Sequence, residues 1–145
     1  ERVGALSIVT ENTEEAARTL SQLKRVIRTN YSNPPTHGSQ VVAMVLTTPE
    51  LRSLWEKELG QMRDRIKTMR RELVAKIRAI RSDSDFSFVI QQRGMFSYSG
   101  LTREQVRKLR EEYSIYAIDS GRICVAALNS RNIDYVAKAI AKVLV

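Results

Sequence analysis

An α/β chain with one long helix joining two regions is what this sequence predicts, and three observations carry that expectation. Apolar residues recur at spacings of three and four from Pro49 to Ile80, the period of a helix. After residue 80, short β-prone runs alternate with amphipathic helical stretches, which makes a small α+β unit. Before the long helix, one β-prone run and one apolar-striped helix stand without a second strand to complete them.

In chain order, residues 2–9 (Arg2 to Val9) read as a short strand. Its backbone donors and acceptors need partners, and no further strand signal occurs before residue 86. Because the chain also lacks an initiator Met, the expectation is the C-terminal part of a larger protein whose sheet is built mostly by other residues. Asn12 then caps a helix, with Glu15 as capping-box partner and Ala16, Ala17, Leu20, Leu23, Val26 and Ile27 on its buried side. From Arg28 to Gly38 the sequence predicts a stiff loop, since Pro34 and Pro35 fix the backbone and exclude helix. Gly38 to Leu46 resumes as a short helix.

Thr48 is the expected N-cap of the long helix, and Pro49 suits its first position, where the missing N–H is not needed. At 1.5 Å per residue such a rod runs to roughly 48 Å, longer than one small core needs. It therefore reads as a spine between two domains, with a coiled-coil strand as the alternative. Beyond it, 86–91 and 95–99 are expected to form a hairpin about Arg93-Gly94. Thr102 and Gln105 make a second capping box, opening a helix from Arg103 to Tyr113 with Leu109 as its best core candidate. Strands at 115–118 and 122–127 flank a turn at Asp119-Ser120-Gly121, and Asn132 to Leu144 closes the chain as an amphipathic helix.

At 145 residues, with 43% hydrophobic and 28% charged side chains, the chain has the composition of a globular domain rather than a disordered segment. No apolar run is long enough to cross a membrane and no signal peptide is evident, so no membrane partner is expected. The lone Cys124 cannot form an internal disulfide, which fits a reducing compartment, cytoplasmic or mitochondrial matrix. The formal charge is +8, much of it on the long helix, but acidic residues are interspersed with the basic ones there. A basic α+β binding module contacting nucleic acid or a partner helix remains the alternative function; steep loss of affinity with salt would reveal a phosphate binder.

No metal-ligand cluster, Gly-rich phosphate loop or Ser/His/Asp arrangement is visible, and the residues flanking His37 in the sequence suggest neither a nucleophile nor an orienting carboxylate. What remains is three arginines expected at loop or strand edges: Arg2, Arg28 and Arg122. Each guanidinium is a planar, permanently charged fork suited to bidentate capture of a carboxylate or phosphate. By composition alone each is an ordinary surface arginine.

Four segments alter that balance: residues 1–4 (Glu-Arg-Val-Gly), Arg28-Thr29-Asn30-Tyr31-Ser32-Asn33-Pro34-Pro35-Thr36-His37-Gly38, Gly94-Met95-Phe96-Ser97-Tyr98-Ser99-Gly100-Leu101, and Ser120-Gly121-Arg122-Ile123. In order and spacing they resemble the aspartate aminotransferases, class I pyridoxal-phosphate-dependent enzymes, along essentially the whole chain. The resemblance implies the C-terminal portion of a fold-type I transferase. Residues 1–60 would end the large cofactor-binding domain and include the first half of the interdomain helix, and 61–145 would form the small α+β domain. It implies pyridoxal 5'-phosphate as cofactor, with Arg2 binding its phosphate. Arg28, with Ser32 beside it, would reach into the neighbouring subunit's site of a homodimer to grip a side-chain carboxylate. Arg122 would grip the α-carboxylate, and Phe96 would lie near the substrate. Dicarboxylic amino acids and 2-oxo acids would be the substrates, with an amino group exchanged between aspartate and 2-oxoglutarate. The Schiff-base lysine is expected upstream of Glu1, so this stretch alone is expected to be inactive.

Overall fold

A computed structural model of the chain describes residues 2–144. It divides into two compact units, Glu1–Lys57 and Glu58–Val145. Their elements are α1 (Thr13–Tyr31), α2 (His37–Thr47), α3 (Pro49–Ile80), α4 (Phe88–Gln91), β1 (Phe96–Tyr98), α5 (Arg103–Tyr113), β2 (Arg122–Cys124) and α6 (Ile133–Val143).

In the first unit, α1 starts as its sequence dictates. The Asn12 side chain accepts from the Glu15 N–H at 2.9 Å, satisfying one of the helix's orphan donors. The Glu15 carboxylate reaches back one residue further than a capping box requires, accepting from the Glu11 N–H at 3.0 Å. The helix ends at Ser32, whose φ of 65° breaks the helical path while its N–H donates to Ile27 O at 3.2 Å. Pro34 and Pro35 then keep the chain from resuming helix until α2. The expected strand over residues 2–9 does not form, and every one of those side chains is exposed. The reason is the one its sequence raised: among the described residues of this unit there is no strand to pair with it. The expected buried side of α1 is corrected likewise, since no residue of that helix is buried and Leu20 and Val26 lie open.

The spine α3 has the bounds its apolar period predicted. Its second half carries Met69, Leu73, Val74 and Ile77 into the core of the second unit. That core is completed by Val89, Val106, Leu109, Val125, Ile133 and Ile140, so α3, α5 and α6 enclose a common apolar interior. The Thr102 capping box is present as expected, with Thr102 Oγ1 accepting from Gln105 N at 3.2 Å and Gln105 Oε1 accepting from Thr102 N at 2.9 Å.

The sheet departs from expectation. Residues 86–91 are not a strand and form no hairpin with 95–99. Instead the Asp85 carboxylate accepts from Ser87 N at 2.8 Å, and the N–H groups of Val89 and Ile90 donate to Phe86 O and Ser87 O at 3.0 Å. That Asx turn starts α4, a local alternative to strand pairing open to an Asp two residues before a free N–H. β1 pairs antiparallel with β2 across the intervening α5, in the register Phe96↔Cys124, Ser97↔Ile123 and Tyr98↔Arg122. Residues 115–118 form no strand, and 125–127 tighten into a 3-10 turn, which shortens the strand expected over 122–127.

Candidate functional site

Of the three forks singled out in the sequence, Arg122 has the best-defined setting. It opens β2, directly across the ribbon from Tyr98. Because side chains alternate along a strand, Phe96 and Tyr98 share the open face of β1 while Ser97 points inward. Arg122 is on that open face, its guanidinium carbon 4.8 Å from the centre of the Phe96 ring. A cation held over an aromatic face at an exposed position gains about 0.5–1 kcal/mol, enough to bias the orientation of a long side chain. The structure thus brings together Arg122 and Phe96, which the sequence named separately.

The turn ahead of Arg122 is tightly fixed. Gly121 has φ +80°, and a Cβ there would meet Leu101 O at 2.7 Å, so both the backbone conformation and the space require glycine. Buried Ser99 clasps it: the Ser99 hydroxyl donates to Gly121 O at 2.6 Å, and the Ser99 N–H donates to the same oxygen at 2.9 Å. On the outer side, Asp119 accepts from Arg103 at 3.0 Å and from Arg110 at 3.1 Å. Those two hydrogen bonds, Arg103's first, hold its carboxyl below the usual aspartate range. Gln92 borders Tyr98 as a surrogate strand, donating to Tyr98 O at 2.9 Å and accepting from Tyr98 N at 2.8 Å.

Arg2 and Arg28 belong to the first unit. Arg2 is exposed in the irregular stretch ahead of α1. Arg28 is not in a loop, as expected, but in the last turn of α1, exposed, with Ser32 as the C-cap one turn on. His37 opens α2. Among the described residues no carboxylate pairs with Arg2, Arg28 or Arg122, whereas Arg18, Arg52, Arg63, Arg81, Arg103, Arg107 and Arg110 each have one. Among the described residues Arg25, Arg71 and Arg131 also lack a paired carboxylate, so this permits anion capture without singling the three out. No group of three metal-ligating side chains and no helix long and apolar enough to cross a membrane occur among the described residues.

Two supporting arginines escaped sequence reasoning. Arg65 donates to Leu128 O and Ala126 O, both at 2.8 Å, holding the segment after β2 against α3. Arg70 is buried and donates to Val89 O, Gly94 O, Phe96 O and the Ser97 hydroxyl. A signal for Arg70 existed: it lies four residues after Ile66, three before Leu73 and four before Val74, on the buried side of α3.

The sequence profile described as "Aminotransferase class I and II" matches residues 1–140. The chain belongs to that aminotransferase family. An aspartate aminotransferase of Pseudomonas aeruginosa is 65% identical over 99% of this chain and 36% of its own length. An aromatic-amino-acid aminotransferase of Escherichia coli is 50% identical over 99% of the chain and 36% of its own length. Among solved structures, the aromatic-amino-acid aminotransferase of Burkholderia pseudomallei, covalently bound to pyridoxal phosphate, superposes with a TM-score of 0.90 at 65% identity, covering 94% of this chain and 34% of that one. The chain thus spans about a third of the length of the relatives it matches. For this aminotransferase chain, the two-stranded ribbon with its helices is the corresponding part of a fold-type I architecture.

Proposed function

We propose that this chain is the C-terminal third of a pyridoxal-phosphate-dependent aspartate aminotransferase, which exchanges an amino group between aspartate and 2-oxoglutarate to give oxaloacetate and glutamate. The observation that carries the proposal is Arg122, a permanently charged fork on an open ribbon face, backed by Phe96 and without a carboxylate partner among the described residues. That arrangement suits the α-carboxylate that every amino acid presents. The 65% identity to an aspartate aminotransferase favours a dicarboxylate substrate. The 65% match to an enzyme named for aromatic amino acids leaves aromatic substrates as a second activity of the same site.

In this proposal residues 1–60 end the large cofactor-binding domain and 61–145 form the small domain; the division between Lys57 and Glu58 supports a boundary there. Arg2 holds the cofactor phosphate, and its exposure without a competing carboxylate among the described residues fits that group. Pyridoxal phosphate supplies the electron sink for amino-group exchange. Arg28, with Ser32 beside it, grips the side-chain carboxylate in the site of the neighbouring subunit of a homodimer. Arg122 holds the α-carboxylate, and Phe96 packs beside the bound substrate. These residues bind and orient; the Schiff-base lysine lies outside residues 1–145. Cytoplasm or mitochondrial matrix, both reducing, suits the free thiol of Cys124.

Replacing Arg28 by Leu in the complete enzyme is expected to cut kcat/KM for aspartate on the order of a hundredfold and leave that for phenylalanine within about threefold. Equal losses would remove its assigned role. Arg122→Ala is expected to depress turnover of every amino acid by on the order of a hundredfold or more. Full turnover by that variant would refute the proposal.

A further inference from the structure

The buried polar group that the proposed reaction leaves unexplained is Arg70. It is 3% exposed, on the same side of α3 as Met69, Leu73, Val74 and Ile77. Burying a guanidinium is costly unless its donors are satisfied, and here both terminal nitrogens are met twice without any carboxylate. Nη1 donates to Val89 O at 2.9 Å and to the Ser97 hydroxyl; Nη2 donates to Gly94 O at 2.7 Å and Phe96 O at 2.9 Å. Burial, and then the positive charge of Arg93, press its pKa downward, but a guanidinium remains charged at neutral pH.

Stability alone is a weak account of such a group, since an apolar side chain at a buried charged position commonly serves as well or better. What the four acceptors have in common is location. They lie along residues 89–97, the segment that delivers Phe96 to the open face of the ribbon. A planar fork with fixed donor directions sets several acceptor positions at once, which a lysine ammonium does not. Gly94, at φ +84°, turns the chain where its carbonyl meets the fork. From Phe96 the contact passes to Arg122, 4.8 Å from the ring centre.

The geometry points to Arg70 as a positioning residue: through Gly94, Phe96 and Ser97 it fixes the ring on which Arg122 rests, and so sets how tightly the site grips the substrate α-carboxylate. This rests on the reading of Arg122 as the α-carboxylate fork. An alternative in which Arg70 merely adds positive potential is separable, because Arg70→Lys keeps the charge and loses the fork.

The test is steady-state kinetics of the complete holoenzyme with aspartate and with phenylalanine, beside the absorbance of bound cofactor per subunit. For Arg70→Lys we expect KM for both donors to rise about tenfold, kcat to stay within about threefold, and cofactor content to be unchanged. Ser97→Ala, which removes one acceptor and keeps the guanidinium, is expected to raise both KM values about threefold. In a Phe96→Leu background the further rise caused by Arg70→Lys is expected to shrink to under about threefold, because coupled residues are not additive. A wild-type KM in Arg70→Lys overturns the proposal, as does a full tenfold increment in the Phe96→Leu background. Should Arg70→Lys fail to retain cofactor, Ser97→Ala decides: a wild-type KM there overturns the proposal, and a raised KM with kcat preserved supports it. Arg122→Ala run alongside separates the two levels. Turnover lost there, with KM unmoved in Arg70→Lys, removes Arg70 alone; turnover retained removes the Arg122 reading and this proposal with it.

Discussion

The two units of this chain differ in what their amphipathic helices accomplish. In Glu58–Val145, Leu73, Ile77, Leu109 and Ile140 are at most 1% exposed, and α3, α5 and α6 close around them. Among the described residues of Glu1–Lys57 only Gly38 is buried, although α1 is a nineteen-residue helix with a proper N-cap. Helical period thus shows which side of a helix needs cover without showing what provides it. The same contrast governs the candidate site. Arg122 has its ring, its fixed turn and its clasp within one unit, whereas Arg2 and Arg28 stand on open surface.

The contrast is most directly broken by paired core substitutions. Leu73→Ala is expected to lower the unfolding free energy of the second unit by about 2–5 kcal/mol, the usual cost of emptying a closed core site. Leu20→Ala, at a half-exposed position, is expected to cost under about 0.5 kcal/mol in the same chain. Urea midpoints measure both, and comparable losses would mean that α1 is covered after all. Next in size is Gly121→Ala, which sets a Cβ 2.7 Å from Leu101 O at a positive φ. It is expected to cost about 1–3 kcal/mol, read from the same urea midpoint, with strain falling on the turn that carries Arg122. An unchanged midpoint would show that the Ser99 clasp yields easily.

What the sequence made legible follows the same division. The helices were readable because capping and period are local: Asn12, Thr102 with Gln105, and the α3 stripe each appear where their residue types demand. The sheet is not legible in the sequence because pairing is not local. Nothing between Phe86 and Ser99 says that β1 takes its partner from beyond α5, and Asp85 diverts 86–91 into a helical turn within three residues. In the site, Arg122 and Phe96 could be named from their motifs, but their contact depends on that unforeseen pairing. Arg70 is indistinguishable in the sequence from the other charges of a basic helix, because a buried arginine satisfied by carbonyls carries no compositional mark.

The capping residues sharpen the comparison at lower energy. Thr102→Ala removes the box of a helix locked into the core, so about 1 kcal/mol is expected to be lost from cooperative unfolding. Asn12→Ala removes an equivalent bond from α1. Its cost is expected to surface locally, as faster hydrogen exchange of the first α1 amides, with the urea midpoint of the second unit unmoved. A midpoint shift on Asn12→Ala as large as that on Thr102→Ala would show the two units unfolding as one.

The smallest expected effect is on pH. In the second unit the carboxyls of Asp83, Asp119 and Asp134 are held low chiefly by hydrogen bonds from Arg81, Arg103 and Lys76 respectively, and that of Asp85 by the backbone of Ser87. Asp119 takes a second bond from Arg110. A carboxyl whose folded pKa lies below its unfolded value of about 3.9 binds its proton more readily when unfolded, so its stabilisation is complete above that value and vanishes as pH falls through the folded pKa. Lys76 is shifted the other way, raised by its bond to Asp134, so its contribution is present below the ordinary lysine value and is lost only in strong alkali. The pairs are solvent-exposed, which keeps each contribution small and screened by salt. The urea midpoint of the second unit is therefore expected to stay flat from about pH 9 to 5 and to decline below about 4. Asp119→Asn is expected to make that decline shallower, since the substituted side chain no longer takes up a proton. A midpoint that rises on acidification would mean that folding raises these carboxyl pKa values instead of lowering them, and would remove pairing with Arg81, Arg103 and Lys76 as the electrostatic support of this unit.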